Sequence, residues 1–223
     1  MKKNIALLGI VLTAVVLSGC HHGLMSQVSG SGNRQKQQRE VGSFTSISTE
    51  GAFHIEVVAQ QSLSLEIEAD DNILPLVGTE VSGNVLHIKS TRSYSTSQPV
   101  IVKVGVPNLE ALTANGAGKV TVTGLKNEHF SLDLNGAPYV IVSGETKVVD
   151  IDTSGAGTID TNKLRAARAV VDSKGVSKVD VYASEQLDVT VSGPSTVFYA
   201  GSPVVNKTIH GPGSVQKRPS TGA

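Results

Sequence analysis

Hydrophobic and polar residues alternate along much of the chain after residue 43, and this alternation predicts β-strands. Phe53 to Val57, Leu63 to Glu68, Val85 to Lys89 and Val100 to Val106 place apolar side chains at alternate positions. A period of two is typical of a strand with one buried face, because successive side chains point to opposite sides. Between the second and third of these strands, residues 73–77 are predicted to form a short helical turn or a compact loop.

A glycine returns every 18–20 residues in the second half of the chain, at Gly116, Gly136, Gly155, Gly175, Gly193 and Gly211. Aliphatic residues stand four positions before the first five of them, at Leu112, Leu132, Ile151, Val171 and Val189. They also stand four positions after each, at Val120, Val140, Ile159, Val179, Val197 and Val215. A fixed period of this length indicates a repeat protein in which each unit stacks on the last.

Two further columns complete the repeat. Six residues after the glycine stand Val122, Val142 and Val181, with Thr161 and Tyr199 as exceptions. A looser column follows 11–15 residues after it, at Phe130, Val148, Val170, Leu187 and Val204. We therefore expect about three short strands per repeat, with glycine at a corner where a positive φ is needed.

The pattern predicts an all-β fold, a right-handed parallel β-helix (a β-solenoid) of 18–20 residues per coil with a less regular N-terminal part. Leucine-rich repeats are disfavoured because no Leu-x-x-Leu-x-Leu phrase occurs, and helical repeats are disfavoured by the period of two. Right-handedness is the expectation for parallel crossovers.

Composition and charge limit the classes of partner that the sequence allows. Charged residues make up 17% of the chain, aromatic residues 4%, and tryptophan is absent. Removing Lys2 and Lys3 with a leader leaves 17 basic and 19 acidic residues, a net charge of about −2. No basic surface is predicted, and nucleic acid is therefore excluded as a partner.

The N-terminus carries an export signal. Lys2 and Lys3 precede the apolar run Ile5 to Leu17, which is shorter than the roughly 20 residues of a membrane-spanning helix. The run ends in Leu17-Ser18-Gly19-Cys20, which resembles the lipobox of a bacterial lipoprotein. The resemblance implies that residues 1–19 are a signal peptide and that Cys20 is lipidated. The alternative is a plain secretory peptide in which Cys20, the only cysteine, is incidental.

The leader also bears on location and domain boundaries. His21, and not Asp, follows the lipidated position, which in Gram-negative lipoproteins favours the outer membrane, at its periplasmic face or the cell surface. Residues 20–42 lack an apolar period and are predicted to be a flexible tether. Residues 43–218 are predicted to form a β-solenoid domain, and residues 219–223 are predicted to be a disordered tail.

His21 and His22 lack the further ligands of a metal site, and no metal or cofactor is expected.

A polar column lies three residues before the glycine, at Asp133, Asp152 and Asp172. On successive coils these carboxylates would be about 5 Å apart, a spacing that resembles the acid pairs of glycoside hydrolases. The alternatives are a weak cation or glycan contact and a solvated face. The pattern fixes no His or Arg beside the column, and Lys174 and Arg168 are not expected to point towards it. The remaining aspartates of the repeats lie at nearby positions: Asp150, Asp160, Asp180 and Asp188.

Several phrases together resemble the head GIN domain family of auto-transporter adhesins, over about residues 43–215. They are Phe44 to Ile47, Gly51 to Ile55, Leu63 to Asp71, Asn115 to Val120 and Ser154 to Ile159. The resemblance implies a right-handed β-helix related in shape to pectin lyases but without their catalytic residues, and a role in adhesion. It supplies no catalytic residue and no cofactor.

The sequence therefore predicts a lipid-anchored cell-envelope protein that acts as a non-catalytic binding or adhesion module. Its expected partners are the membrane, through Cys20, and a glycan or an envelope protein, and a homo-oligomer is compatible with the sequence. Two alternatives remain open: a polysaccharide-active enzyme that uses the aspartate column, and a structural envelope factor.

Overall fold

The computed structural model describes residues 27–218, which form stacked coils of β-strand. The predicted signal peptide, Cys20 and the tail 219–223 lie outside the described residues. The strands are β1 Val28–Ser29, β2 Arg34–Gln38, β3 Ser46–Glu50, β4 His54–Ala59, β5 Ser64–Asp70, β6 Val77–Ser82, β7 Val85–Ser90, β8 Tyr94–Ser95, β9 Ile101–Val106, β10 Ala111–Gly116, β11 Lys119–Gly136, β12 Tyr139–Gly155, β13 Thr158–Gly175, β14 Lys178–Ser192, β15 Thr196–Ala200, β16 Val204–His210 and β17 Ser214–Lys217. A 3₁₀ turn at Leu74–Leu76 confirms the predicted helical turn.

The second half of the chain is a parallel β-solenoid, as predicted. β11, β12, β13 and β14 pair in parallel with one another in that order. The glycine-based columns stack in register, so that Leu132 pairs with Ile151, and Ile151 with Val171. All five aliphatic residues that precede the glycines are at most 3% exposed, and the ladder they form fills the core.

Each of the strands β11 to β14 is one long bent strand that forms a coil, and not three separate short ones. β11 shifts register against β12 between Val122 and Leu125, where Gly124 has φ +71°. A glycine in this conformation turns the chain without ending the strand. The inward positions on either side of the bend, Val122 and Leu125, are both buried.

The prediction of the looser hydrophobic column, 11–15 residues after the glycine, is partly wrong. The residues in register with Phe130 are Val149, Ala169, Leu187 and Val205. Val148 and Val170 are one position out of phase, and Val204 is 69% exposed. The number of residues between the glycine and this column varies from coil to coil, so counting from the glycine cannot fix its phase.

The glycine corners stack directly on one another. Gly136 has φ +100°, and a Cβ placed on it would lie 2.6 Å from the carbonyl oxygen of Gly116 in the preceding coil. The next corners, Gly155 and Gly175, meet the same obstacle, each from the glycine below it. Glycine is therefore required by the backbone conformation and also by the close approach of the coil below.

The flexible tether predicted for residues 20–42 is wrong over its described strands, and the folded unit begins before residue 43. β2 pairs antiparallel with β5, with Gln37 opposite Ile67, and β1 pairs with β8. The side chains of β2 are all polar, which removed the periodic signal. Their partners are acidic residues of β5: the Lys36 ammonium lies 3.8 Å from carboxylate oxygens of both Glu66 and Glu68.

Residues 28–39 form what we call the N-terminal clasp. The Arg34 guanidinium lies 3.7 Å from the carboxylate of Asp70, which is 2% exposed, and the Gly32 N–H donates to the same carboxylate at 3.1 Å. Arg39 donates to the Leu74 carbonyl at 3.0 Å and to the Thr79 hydroxyl at 2.9 Å. Burial lowers the pKa of Arg39. The clasp thus fastens the chain to the antiparallel strands at the N-terminal end of the solenoid.

No helix between residues 27 and 218 is long and apolar enough to cross a membrane.

Candidate functional site

The three predicted aspartates do lie on successive coils of one face. Asp133 pairs in register with Asp152, and Asp152 with Asp172, at the strand separation of about 4.7–4.9 Å. Their chain neighbours on either side, such as Leu132 and Leu134, are buried, so the carboxylates point outward. The side chains of Asp152 and Asp172 are 56% and 38% exposed.

The aspartates belong to a longer row that we call the polar row. Register pairs extend it towards both ends of the solenoid, through β10, β3 and β7 on one side and β14 and β16 on the other. In order it contains His87, Ser48, Thr113, Asp133, Asp152, Asp172, Thr190 and Thr208. Every member is polar and at least partly exposed. The row is therefore a continuous polar strip across eight strands.

A second row runs beside it, two residues further along each strand. The Asn135 amide donates to Asn115 Oδ1 and to Asp133 Oδ1, both at 3.0 Å. The Ser154 hydroxyl donates to Asn135 Oδ1 at 2.5 Å. Polar corner residues therefore stack from coil to coil, and Asn135 holds the side chain of Asp133 in place from one side.

Lys174 joins the two rows, contrary to the expectation that it would point away. Its ammonium lies 2.9 Å from Asp172 Oδ2 and 3.6 Å from Asp152 Oδ2. The hydrogen bond with Asp172, followed by the charges of Asp152 and Asp172, raises the pKa of Lys174. The lysine stays charged below its ordinary pKa, and the pairs are lost only as pH rises through the higher folded value. Residues two apart on a strand share a face, which is the signal that could have placed Lys174 here.

The other aspartates divide between two faces. Asp150 Oδ2 and His129 Nε2 lie 2.6 Å apart, within hydrogen-bonding distance, and Asp188 accepts from the Asn206 amide at 2.8 Å, both on the face of the polar row. Asp160 and Asp180 pair with each other on a different sheet surface. There Asp180 is 4% exposed and accepts from the Arg218 guanidinium at 2.8 Å, which gives it a structural role.

Two open depressions lie near the N-terminal end. A groove of about 320 Å³ adjoins the end of the polar row and is lined by Glu50, Glu80, His87 and Lys89 among others. A groove of about 450 Å³ lies over β4, β5 and β9, beside Glu56, Glu66 and Lys103. Across residues 27–218, no three His, Cys, Asp or Glu side chains are grouped so as to hold a metal ion.

Solved structures share the fold of this chain. A putative adhesin from Bacteroides fragilis has a TM-score of 0.69 at 21% identity, covering 86% of this chain and 100% of its own. A putative adhesin from Parabacteroides merdae has a TM-score of 0.57 at 18% identity, covering 86% and 99%. A putative lipid binding protein from Parabacteroides distasonis has a TM-score of 0.53 at 18% identity, covering 87% and 100%. At these identities the likeness concerns the fold.

A search of the curated proteins finds no match to this chain. The family described as "Putative auto-transporter adhesin, head GIN domain" matches residues 43–203, most of the chain and nearly all of its solenoid. The match includes the glycine corners from Gly116 to Gly193 and all three aspartates of the polar row. The chain belongs to the head GIN domain family.

Proposed function

We propose that the protein is a lipid-anchored, non-catalytic binding module of the cell envelope whose polar row contacts a glycan. The observation that carries the proposal is the continuity of this row, which offers eight outward polar side chains on a rigid surface. Membership in a family of putative adhesins supports a binding role. An extended, stacked surface suits a long partner that is contacted over several coils.

The chemistry of the row matches a polyhydroxylated ligand. Carboxylates accept hydrogen bonds from sugar hydroxyls, while Thr and Asn side chains can both donate and accept. Asp133 and Asp152 are exposed, and Asp133 already has one oxygen oriented by Asn135. Each hydrogen bond contributes about 1 kcal/mol net, and affinity therefore depends on contacts to several coils at once.

The same geometry argues against catalysis by the aspartate column. An acid–base pair needs two carboxyl groups in different environments, so that one is protonated while the other is ionised. Asp152 and Asp172 instead share the single ammonium of Lys174 and lie on the same exposed face, so their surroundings are alike. We therefore expect glycans to be bound and released intact.

The anchor is the second part of the proposal. The lipobox phrase Leu17 to Cys20 supports lipidation of Cys20, and His21 in place of Asp directly after it supports placement in the outer membrane. Two or three acyl chains give stable membrane association, because each buried methylene contributes about 0.8 kcal/mol.

The variant Cys20→Ser is expected to move the protein from the membrane fraction to the soluble fraction, because it removes the thiol that accepts the lipid. Fractionation of cells that express the full chain, followed by immunoblotting, measures the shift. Ser18→Ala, which keeps a small residue in the leader and retains Cys20, is the matched control and should remain with the membranes. Membrane retention of Cys20→Ser equal to that of the unaltered protein would contradict lipid anchoring.

A further inference from the structure

The C-terminal end of the solenoid carries two strands with free edges. β16 pairs only with β14 and β17 only with β15 in the described part of the chain. Val205 and Val215 pack against the end of the core and are half-buried, and Val204 is 69% exposed. An unpaired edge next to apolar side chains is a template on which another β-chain can add.

Lysines occupy two of the inward columns at this edge, whereas Val205, Ile209 and Val215 continue others. Lys207 is in register with Val189, which is 3% exposed, and continues a column that is aliphatic in every preceding coil from Leu112 onward. Lys217 is in register with Tyr199 and continues the column of Val181. In the last coil, a charged side chain thus replaces the core residue in both columns.

At the other end of the solenoid, antiparallel strands lie over the parallel coils. β6 pairs antiparallel with β7, and the Arg39 side chain of the N-terminal clasp donates to the backbone carbonyl of Val77 on β6. β2 covers β5 in the same way. Antiparallel strands therefore cover the parallel N-terminal coils, although β2 and β6 are themselves paired on one side only, whereas no strand of residues 27–218 covers the last C-terminal coil.

We infer that Lys207 and Lys217 are stop residues that keep the C-terminal edge from pairing with a second copy of this chain. A coil added to this edge would take both ammonium groups out of water, which costs several kcal/mol per ion unless each is neutralised. Residues 201–218 contain no Asp or Glu, so a matching end of a second copy would bring lysines towards lysines. In the single molecule the aliphatic stems cover the core while the ammonium groups reach water.

Protection of this edge is independent of the ligand and of the anchor. It keeps copies of the chain from associating when their local concentration is high. Natural β-proteins use inward-pointing charges and prolines to protect edges, and Pro203 and Pro212 flank β16 here.

The test uses the chain from residue 21 to 223, which retains everything that the structure describes. The double variant Lys207→Val/Lys217→Val is expected to self-associate at least tenfold more tightly than the unaltered chain. Sedimentation velocity over a range of concentrations measures the mass, and far-ultraviolet circular dichroism verifies that the variant remains β-folded. A double variant that stays monomeric over the same concentrations as the unaltered chain overturns the inference.

Two controls separate charge at this edge from charge in general. Lys89→Val/Lys163→Val removes two exposed lysines elsewhere on the solenoid and should leave the mass unchanged. Lys207→Glu/Lys217→Glu places the opposite charge at the stop positions and should also stay monomeric, because a buried carboxylate is as costly as a buried ammonium. Association of the glutamate variant as tight as that of the valine variant would likewise overturn the inference.

Discussion

Replacing Gly136 with alanine is expected to destabilise the solenoid by about 3 kcal/mol or more. A left-handed backbone conformation costs a residue with a Cβ of the order of 1–3 kcal/mol, and here φ is +100°. The new Cβ would also lie 2.6 Å from the carbonyl oxygen of Gly116, a backbone atom that cannot rotate away. Relief requires the two coils to separate, which weakens the parallel pairing of β10 with β11. Chemical denaturation measures the loss.

Alanine variants of two other glycines separate the cost of the backbone conformation from the cost of the close contact between coils. Gly211 has φ +104°, but a Cβ there would find no heavy atom nearer than 3.7 Å, so Gly211→Ala should show the conformational cost alone. Gly42 has no atom within 4 Å of a Cβ and is not among the residues of positive φ, and Gly42→Ala should be close to neutral. If Gly136→Ala cost no more than Gly211→Ala, the close stacking of coils would not be what requires glycine at these corners.

Removing the Arg34 side chain is expected to cost about 3 kcal/mol, because it leaves the Asp70 carboxylate buried without its cation. Asp70 is 2% exposed and would retain only the Gly32 N–H and the Thr96 hydroxyl, at 3.1 and 3.2 Å. Breaking a buried ion pair from one side typically costs 3–5 kcal/mol, and the two remaining hydrogen bonds place Arg34→Ala at the low end. The free energy of unfolding in denaturant measures the effect.

Lys36→Ala is the matched control on the same strand. The Lys36 side chain is 59% exposed and its ion pairs with Glu66 and Glu68 are 3.8 Å long, so the expected loss is below about 1 kcal/mol. Equal and small effects of Arg34→Ala and Lys36→Ala would show that the N-terminal clasp does not depend on the buried pair. Such a result would support the flexible N-terminal tether that the sequence predicts.

The regular coils were predictable because each one repeats the same demands. A glycine at the corner and an aliphatic residue four positions either side recur whatever the remaining residues are, and Leu132, Ile151 and Val171 stack as expected. The bends within the coils were not, because a glycine eight positions after the corner recurs at Gly124, Gly144 and Gly201 but is absent from the coils that begin at Gly155 and Gly175. The phase after the bend therefore differs, and Val149 takes the place predicted for Val148.

The N-terminal clasp could not be predicted by hydrophobic pattern. β2 reads Arg-Gln-Lys-Gln-Gln, and its place is fixed by backbone pairing with β5 and by acidic partners more than 30 residues away. For the candidate site, the aspartate column followed from the period alone, since equal spacing from a glycine places residues on one face. The position of Lys174 could have been predicted in the same way, because it lies two residues after Asp172 on one strand and therefore shares the face of the column.

Binding to immobilised glycans by the chain from residue 21 to 223 tests the central claim most directly. The unaltered chain is expected to bind at least one extended glycan without releasing new reducing ends. The triple variant Asp133→Asn/Asp152→Asn/Asp172→Asn should bind it about a hundredfold more weakly, as expected for three contacts of about 1 kcal/mol each. Glu56→Gln/Glu128→Gln/Glu145→Gln makes the same charge change away from the polar row and should bind normally. Equal binding by both triple variants, or cleavage of the glycan that Asp152→Asn abolishes, would contradict a non-catalytic module that binds through its polar row.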